Sequence, residues 1–439
     1  MVSVRCDLVR LCGVNRLKAL MASAALLAVV AAAGCGSGEG RVEAGAPGVT
    51  DKPCPNAVNK DHGCIYLGTI SDLTSGPFRA LGSAVTKAQR AFWDRVNRQG
   101  GIGGYDIDVV TYVRDNHYQP QAHVRAYNEM KDKVLALAQT FGSPETDAIL
   151  GDLHAKKMIA LPVSWTSRWE FDDDIVESGS SYCFEAMNAV DYGVDEYGAK
   201  SVMAIHYTGD YGDDAAAGAR IGARVRGLSF TDVPTTQGAA VQNAAVRAIM
   251  SRRPDLVVLT VSPADAASII GRTVDAGFRG RFIGDNPTWD RSMLRDPSAN
   301  AIKSRYLQVA PWKPYATDSP GHTAMRQAVG RTEPDDNLVS GWALSYPLKA
   351  ALQRAVQKKD LSRAGLFAAV REITYVDYEG ILPSEAGNSS GTPNDSAFRK
   401  TVFSRPDDHE FSGLKVLTDF TEGPTAKGYR LDQPCLAGK

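Results

Sequence analysis

Cys64-Ile65-Tyr66-Leu67-Gly68-Thr69-Ile70 reads as a buried strand, and Leu81, Ala84, Val85, Ala88, Phe92 and Val96 follow it at helical spacing. Gly100-Gly101 stops that helix, and Ile102-Gly103-Gly104 turns the chain into a second strand over Asp106–Val113. Working outward, Pro120 opens a helix, Val134–Ala138 is a strand, Glu145–Lys157 a helix and Met158–Leu161 a strand. The rhythm then restarts. Ala186–Tyr197, Asp213–Arg226, Val241–Ser251 and Ala264–Ala276 read as helices, alternating with strands at Ser201–Tyr207, Leu228–Val233, Asp255–Thr260 and Arg281–Gly284. Strand–helix alternation implies right-handed βαβ units and a mostly parallel sheet. Two such series imply an α/β protein of two lobes with a cleft between them. Later helices fall near His322–Val329, Val339–Val356 and Ser362–Glu372, and Pro383–Ser396 reads as a surface loop.

The bulk numbers agree with that plan. The chain has 439 residues, enough for two or three domains, with 44% apolar and 23% charged residues, as in soluble proteins with real cores. Its 49 basic and 50 acidic side chains leave a formal charge of −1, so no global field holds nucleic acid or an anionic membrane.

The start carries Arg5, Arg10, Arg16 and Lys18, then an apolar stretch from Ala19 to Ala33. That stretch is shorter than the ~20 residues that span a bilayer, which fits a signal peptide better than a transmembrane helix. It ends in Ala32-Ala33-Gly34-Cys35, which resembles the lipobox of bacterial lipoproteins and implies a lipidated Cys35; an ordinary signal peptide is the alternative. Residues 1–35 are therefore expected to be a leader, and 36–63 a Gly-rich flexible tether. Export leaves Cys54, Cys64, Cys183 and Cys435, an even number in an oxidising compartment, which points to two disulfides. Four cysteines allow three connectivities. One pairs Cys54 with Cys64 across a short loop and Cys183 with Cys435, pinning the C-terminal tail. No CxxC or HExxH spacing marks a metal site, and no cofactor motif is present.

An ordered set of segments resembles the periplasmic binding proteins of the leucine/isoleucine/valine class. It runs through Leu73-Thr74-Ser75-Gly76-Pro77-Phe78, Asn97–Gly104, Arg114-Asp115-Asn116, Phe141-Gly142-Ser143-Pro144, Leu161-Pro162-Val163-Ser164, Asp210-Tyr211-Gly212 and Ile283-Gly284-Asp285. The resemblance implies two Rossmann-like lobes, each a mostly parallel sheet with flanking helices, joined by three hinge crossings near Phe184, Pro311 and Leu414. Lobe 1 would be 64–183 with 311–413, and lobe 2 would be 184–310 with 414–439. It also implies an ABC-importer subunit that closes on an amino acid or related small polar molecule, with permease and ATPase subunits as partners.

A free amino acid needs donors for its carboxylate and an acceptor for its ammonium. The resemblance gives the first task to Ser143, Ser164 and Thr166, the second to Asp285, and a place in the cleft to Tyr211. Trp165 stands where relatives carry a small residue, so an aromatic wall is expected, with Trp169 and Trp289 near it. The bland alternatives are an N-cap for Ser143, a turn carboxylate for Asp285, a surface aromatic for Tyr211 and core packing for the tryptophans.

An enzyme is a poorer reading. Gly387-Asn388-Ser389-Ser390-Gly391 matches G-x-S-x-G but sits in a polar, Pro-flanked loop, not on a strand-to-helix elbow. Gly100–Gly104 follows a helix and precedes a strand, the reverse of a dinucleotide fingerprint. His206 is expected to be a satisfied strand-end histidine. A sensory lipoprotein built on the same fold is the remaining alternative to a transporter subunit.

Overall fold

The computed structural model describes residues 46–209 and 211–438. The leader, Cys35 and Asp210 lie outside them. The first sheet begins with β1 (Val49–Thr50), which pairs antiparallel with β2 (Gly63–Ser71). The expected free tether is therefore docked from residue 46 onward. Asp106 explains why: its buried carboxylate accepts the Val58 and Asn59 amides at 2.8 and 2.9 Å and the Asn59 side chain at 2.7 Å. The Cys54–Cys64 bridge closes the same loop, and Cys183 bonds Cys435.

Helix α1 (Arg79–Arg98) buries Leu81, Val85, Ala88, Phe92 and Val96 on one face. It ends at Gly100 and Gly101, with φ of +103° and +67°. A Cβ on Gly101 would stand 2.1 Å from the Tyr105 carbonyl oxygen, so only glycine fits that turn. The strand expected over 106–113 is two strands, β3 (Tyr105–Asp108) and β4 (Val113–Asp115), each parallel to β2. Asp108 interrupts them by accepting the Val110 and Thr111 amides at 2.9 and 2.8 Å, a local turn that removes those groups from the ladder. Then come α2 (Pro120–Met130), β5 (Ala136–Phe141), α3 (Ser143–Lys156) and β6 (Ala160–Val163). The spine of the sheet runs β1-β2-β5-β6, parallel beyond β1.

The chain passes into the second lobe through α4 (Tyr182–Tyr197). The alternation continues as β7 (Ser201–Tyr207), α5 (Tyr211–Val225), β8 (Ser229–Thr235), α6 (Asn243–Arg252), β9 (Leu256–Thr260), α7 (Pro263–Asp275) and β10 (Arg281–Gly284). It closes with α8 (Ala299–Arg305) and β11 (Tyr306–Ala310). Helices α9 (Pro320–Val329), α10 (Asn337–Ala343), α11 (Ser345–Gln357) and α12 (Arg363–Val370) follow, and α9 and α10 pack against α1. The single helix expected over 339–356 is thus two, broken at Leu344. The short α13 (Pro393–Ser396) precedes β12 (Val402–Pro406) and β13 (Leu414–Val416), and α14 (Pro424–Gly428) packs on α4.

The second sheet is ordered β13-β12-β11-β10-β9-β7-β8, with β12 antiparallel to both its neighbours. Because β12 belongs to this sheet, the chain has entered the second lobe by Val402. The boundary read near Leu414 falls one strand too late. Strands β11 to β13 were not read from the sequence, although Pro311, Pro406-Asp407-Asp408 and Ser412-Gly413 mark turns beside them.

Candidate functional site

The two lobes meet over a chamber of about 290 Å³. Phe78 and Leu81 enter it from the start of α1, and Phe141, Gly142 and Ser143 from the junction of β5 with α3. Val163, Ser164 and Trp165 follow β6; Tyr211 and Pro287 come from the second lobe. Tyr118 and Tyr182 complete a wall in which six rings face the space, and among the described residues none that lines it is acidic or basic.

Local chemistry aims these groups. Asp72 accepts the Gly76 and Phe78 amides at 2.9 and 3.0 Å, fixing the turn that presents the Phe78 ring. Tyr118 holds a left-handed φ of +55°, kept there by Asn116, which accepts the Tyr118 amide and donates to the Phe141 carbonyl at 2.8 Å. The Phe78 and Tyr118 rings lie 5.0 Å apart. Trp165 is 1% exposed, donates to the Ser178 carbonyl at 3.0 Å and meets Trp312 edge-on.

Of the residues singled out from sequence, the chamber brings together Ser143, Ser164, Trp165 and Tyr211. Ser143 is not an N-cap: Gly142 holds that position with φ +100°, and the Ser143 hydroxyl is enclosed without a hydrogen-bond partner. The Ser164 hydroxyl accepts the Trp169 indole N–H at 3.0 Å, which leaves its own proton for the chamber. Thr166 and Asp285 do not line the chamber. Thr166 is buried in the turn whose carbonyl takes the Trp169 amide. Asp285 is 1% exposed and accepts the Thr288 hydroxyl at 2.7 Å. Beside it lies Glu185, whose carboxyl is raised well above the usual range by burial and then by the Asp285 charge. Trp289 faces a second interlobe space of about 600 Å³, which shares Phe78 and Leu81 with the chamber. His206 is held between Asp213 and Asp232 at 3.2 and 2.9 Å, away from the chamber.

Several residues that line or support the chamber were not singled out in sequence. Phe78, Tyr118 and Phe141 lie within or next to the segments that carried the resemblance, so their position was a usable signal. Asp214 had none. It is fully buried on α5 and accepts the Ser167 amide and hydroxyl and the Cys183 amide, tying the first crossing to the second lobe. Burial pushes its carboxyl up to about 6. The G-x-S-x-G stretch follows a short 3-10 turn, Ser384–Gly387, with no strand before it, so no nucleophile elbow forms.

A mostly apolar chamber between two α/β lobes, with two serine hydroxyls on its wall, defines a receptor for a small molecule. The sequence profile of the periplasmic binding protein family matches residues 65–410, and the chain belongs to that family. It is accordingly a solute-binding protein of an extracytoplasmic family and not an enzyme. Among solved structures, a fatty acid ABC transporter substrate-binding protein from Thermomonospora curvata is 28% identical. That match covers 88% of this chain and 96% of the other, with a TM-score of 0.80. A branched-chain amino acid ABC transporter protein from Thermus thermophilus with bound valine is 16% identical, covering 83% and 98%, at 0.70. A leucine-binding protein from Thermotoga maritima is 16% identical, covering 82% and 99%, at 0.68. These last two share the fold. No curated protein sequence matches the chain.

Proposed function

We propose that the chain is the substrate-binding subunit of an ABC importer, lipid-anchored through Cys35, and that its ligand is a monocarboxylic acid with an apolar or aromatic body. The observation that carries the ligand class is the lining: six rings, two serine hydroxyls and, among the described residues that line it, no charged side chain. Such a wall removes apolar surface from water, at roughly 25 cal/mol per Å². Ser143, Ser164 and the first amides of α3 are donors for one carboxylate. The fatty acid binder at 28% identity supports the same class. An amino acid, the ligand read from the sequence resemblance, also needs an anion for its ammonium, and Asp285 is not on the chamber wall.

Calorimetry with a matched panel tests this: short and medium fatty acids, aromatic acids, their amides, and leucine, isoleucine and valine. Acids should bind and their amides should bind at least about tenfold more weakly, equivalent to ~1.4 kcal/mol. Branched-chain amino acids binding more tightly than the acids would overturn the ligand class while leaving the receptor role intact. Permease and ATPase genes beside this one distinguish import from sensing. Cell fractionation of Cys35→Ala tests the anchor, since an unchanged membrane fraction refutes it.

A further inference from the structure

Trp169, whose indole donates to Ser164 of the chamber wall, also lines a second cavity of about 490 Å³ beside two of the segments that link the lobes. Trp169–Gly179 supplies one wall and Ala386–Phe398 much of the other. Two glutamates, Glu170 and Glu177, line it, and both carboxylate oxygens of Glu177 are enclosed without a hydrogen-bond partner. Two cations adjoin the cavity, Arg371 on its wall and Arg399 close enough for its charge to act on Glu170, and both also have other partners. Arg371 is paired with Asp173 at 3.0 Å, and Arg399 donates to the carbonyls of Ala426, Tyr429 and Asn394. Asp172 at the rim faces His154 at 3.3 Å. An enclosed carboxylate with no partner is costly to keep charged, and a second one beside it adds repulsion.

We propose that this cavity is a binding site for a hard divalent cation of the calcium type, held by Glu170 and Glu177 with neutral oxygens from Asn388, Ser389 and Ser396. The donor chemistry selects the class. No thiol or imidazole lines the cavity, and calcium takes about 6–8 oxygen ligands in flexible geometry. The bound ion ties one linking segment to the other. It also adjoins the ligand wall twice, through the Trp169–Ser164 and Trp165–Ser178 hydrogen bonds. The site is independent of which ligand the chamber takes.

Calorimetric titration of the chelator-treated mature chain with calcium chloride, near neutral pH, is the test. One ion should bind per chain. Glu177→Gln and Glu170→Gln, both isosteric, should each weaken binding at least about tenfold, equivalent to ~1.4 kcal/mol. Asp408→Asn, in the exposed Asp407-Asp408-His409 cluster, should leave it unchanged. Without calcium, Glu177→Gln should melt above the parent. The proposal is overturned if the parent binds no calcium, if Asp408→Asn abolishes binding while Glu177→Gln retains it, or if the two glutamates hold a shared proton that calcium does not displace.

Discussion

The Phe78 ring of the first lobe meets the Tyr211 ring of the second edge-on, with centroids 5.9 Å apart and planes at 78°. Tyr207 stands a further edge contact away from Phe78 at 6.4 Å. These contacts bridge the two lobes, so if ligand draws the lobes together the pair stabilises that arrangement. An edge-to-face pair is worth about 0.5–1.5 kcal/mol beyond its buried area. Tyr211→Ala should therefore weaken ligand binding roughly tenfold. Small-angle scattering should show the unliganded variant more open than the parent. An equally compact variant would mean the lobes are held by other contacts.

Glu145 lies in the first turn of α3, where negative charge already favours the helix N-terminus. Its carboxylate fills the space beside Gly142, 2.0 Å from where a Cβ there would sit. A ligand carboxylate arriving at Ser143 meets that charge. Glu145→Gln should tighten binding of acids up to about fivefold, the equivalent of ~1 kcal/mol for a charge at a helix end. It should leave the matched amides unchanged. Equal effects on acid and amide would move the carboxylate away from Ser143.

Trp165→Ala should change ligand choice more than it changes acid-over-amide preference. The indole fills chamber volume and packs on Tyr182 and Trp312, while the hydroxyl donors lie on Ser143 and Ser164. Competition calorimetry with acids of increasing bulk should show the variant favouring larger ones. Unchanged size selection would make Trp165 a core residue alone.

How much of this was legible follows from what sequence encodes locally. Strand–helix alternation and the Gly100-Gly101 stop are short-range signals, and they gave the two α/β lobes. The Asp108 turn inside an apolar run, and the placement of Val402–Pro406 in the second sheet, depend on partners far along the chain. Four of six expected ligand positions converge because they sit at strand ends that the fold brings to one edge. Asp285 sits at such an end too, but its carboxylate is buried and accepts the Thr288 hydroxyl. That burial is a tertiary fact with no periodic trace.

Stability should fall as pH rises above about 6.5. Glu185 and Glu177 have folded pKa values raised well above the usual range, and Asp336 and Glu170 are raised to about 7. A raised folded pKa means the native state binds the proton more tightly, so the stability is present below the ordinary pKa and is lost as pH climbs through the folded one. His123 and His322 act oppositely: burial lowers them to about 3 and about 4, so their contribution is lost as pH falls below about 6.5. Above that point the histidines no longer offset the acids. Each pH unit crossed costs up to about 1.4 kcal/mol per such acid. Glu185→Gln keeps an acceptor for the Asn286 amide and removes one titrating group. Melting curves from about pH 6.5 to 8 should show a shallower decline in this variant. Parallel declines would show that Glu185 is charged in both states.

The two disulfides should differ in what their loss costs. Cys54–Cys64 spans 10 residues and Cys183–Cys435 spans 252. If a cross-link acts mainly by restricting the unfolded chain, loop-closure entropy gives about 3 kcal/mol for the short loop and about 5.5 for the long one. The native surroundings reinforce that order. Cys183 opens α4 beside the Asp214 hydrogen bonds, and the Cys435 amide donates to the Ser167 hydroxyl at 2.9 Å, so the long bridge pins the C-terminal tail onto the first crossing. The short bridge holds a loop that Asp106 already grips through three hydrogen bonds from Val58 and Asn59. Cys54→Ser/Cys64→Ser should therefore lower the denaturation midpoint by clearly less than Cys183→Ser/Cys435→Ser. The long-bridge variant should also become sensitive to proteolysis after Thr421. Urea unfolding of both double variants beside the parent decides it, and equal losses would show that the long loop is already constrained when unfolded.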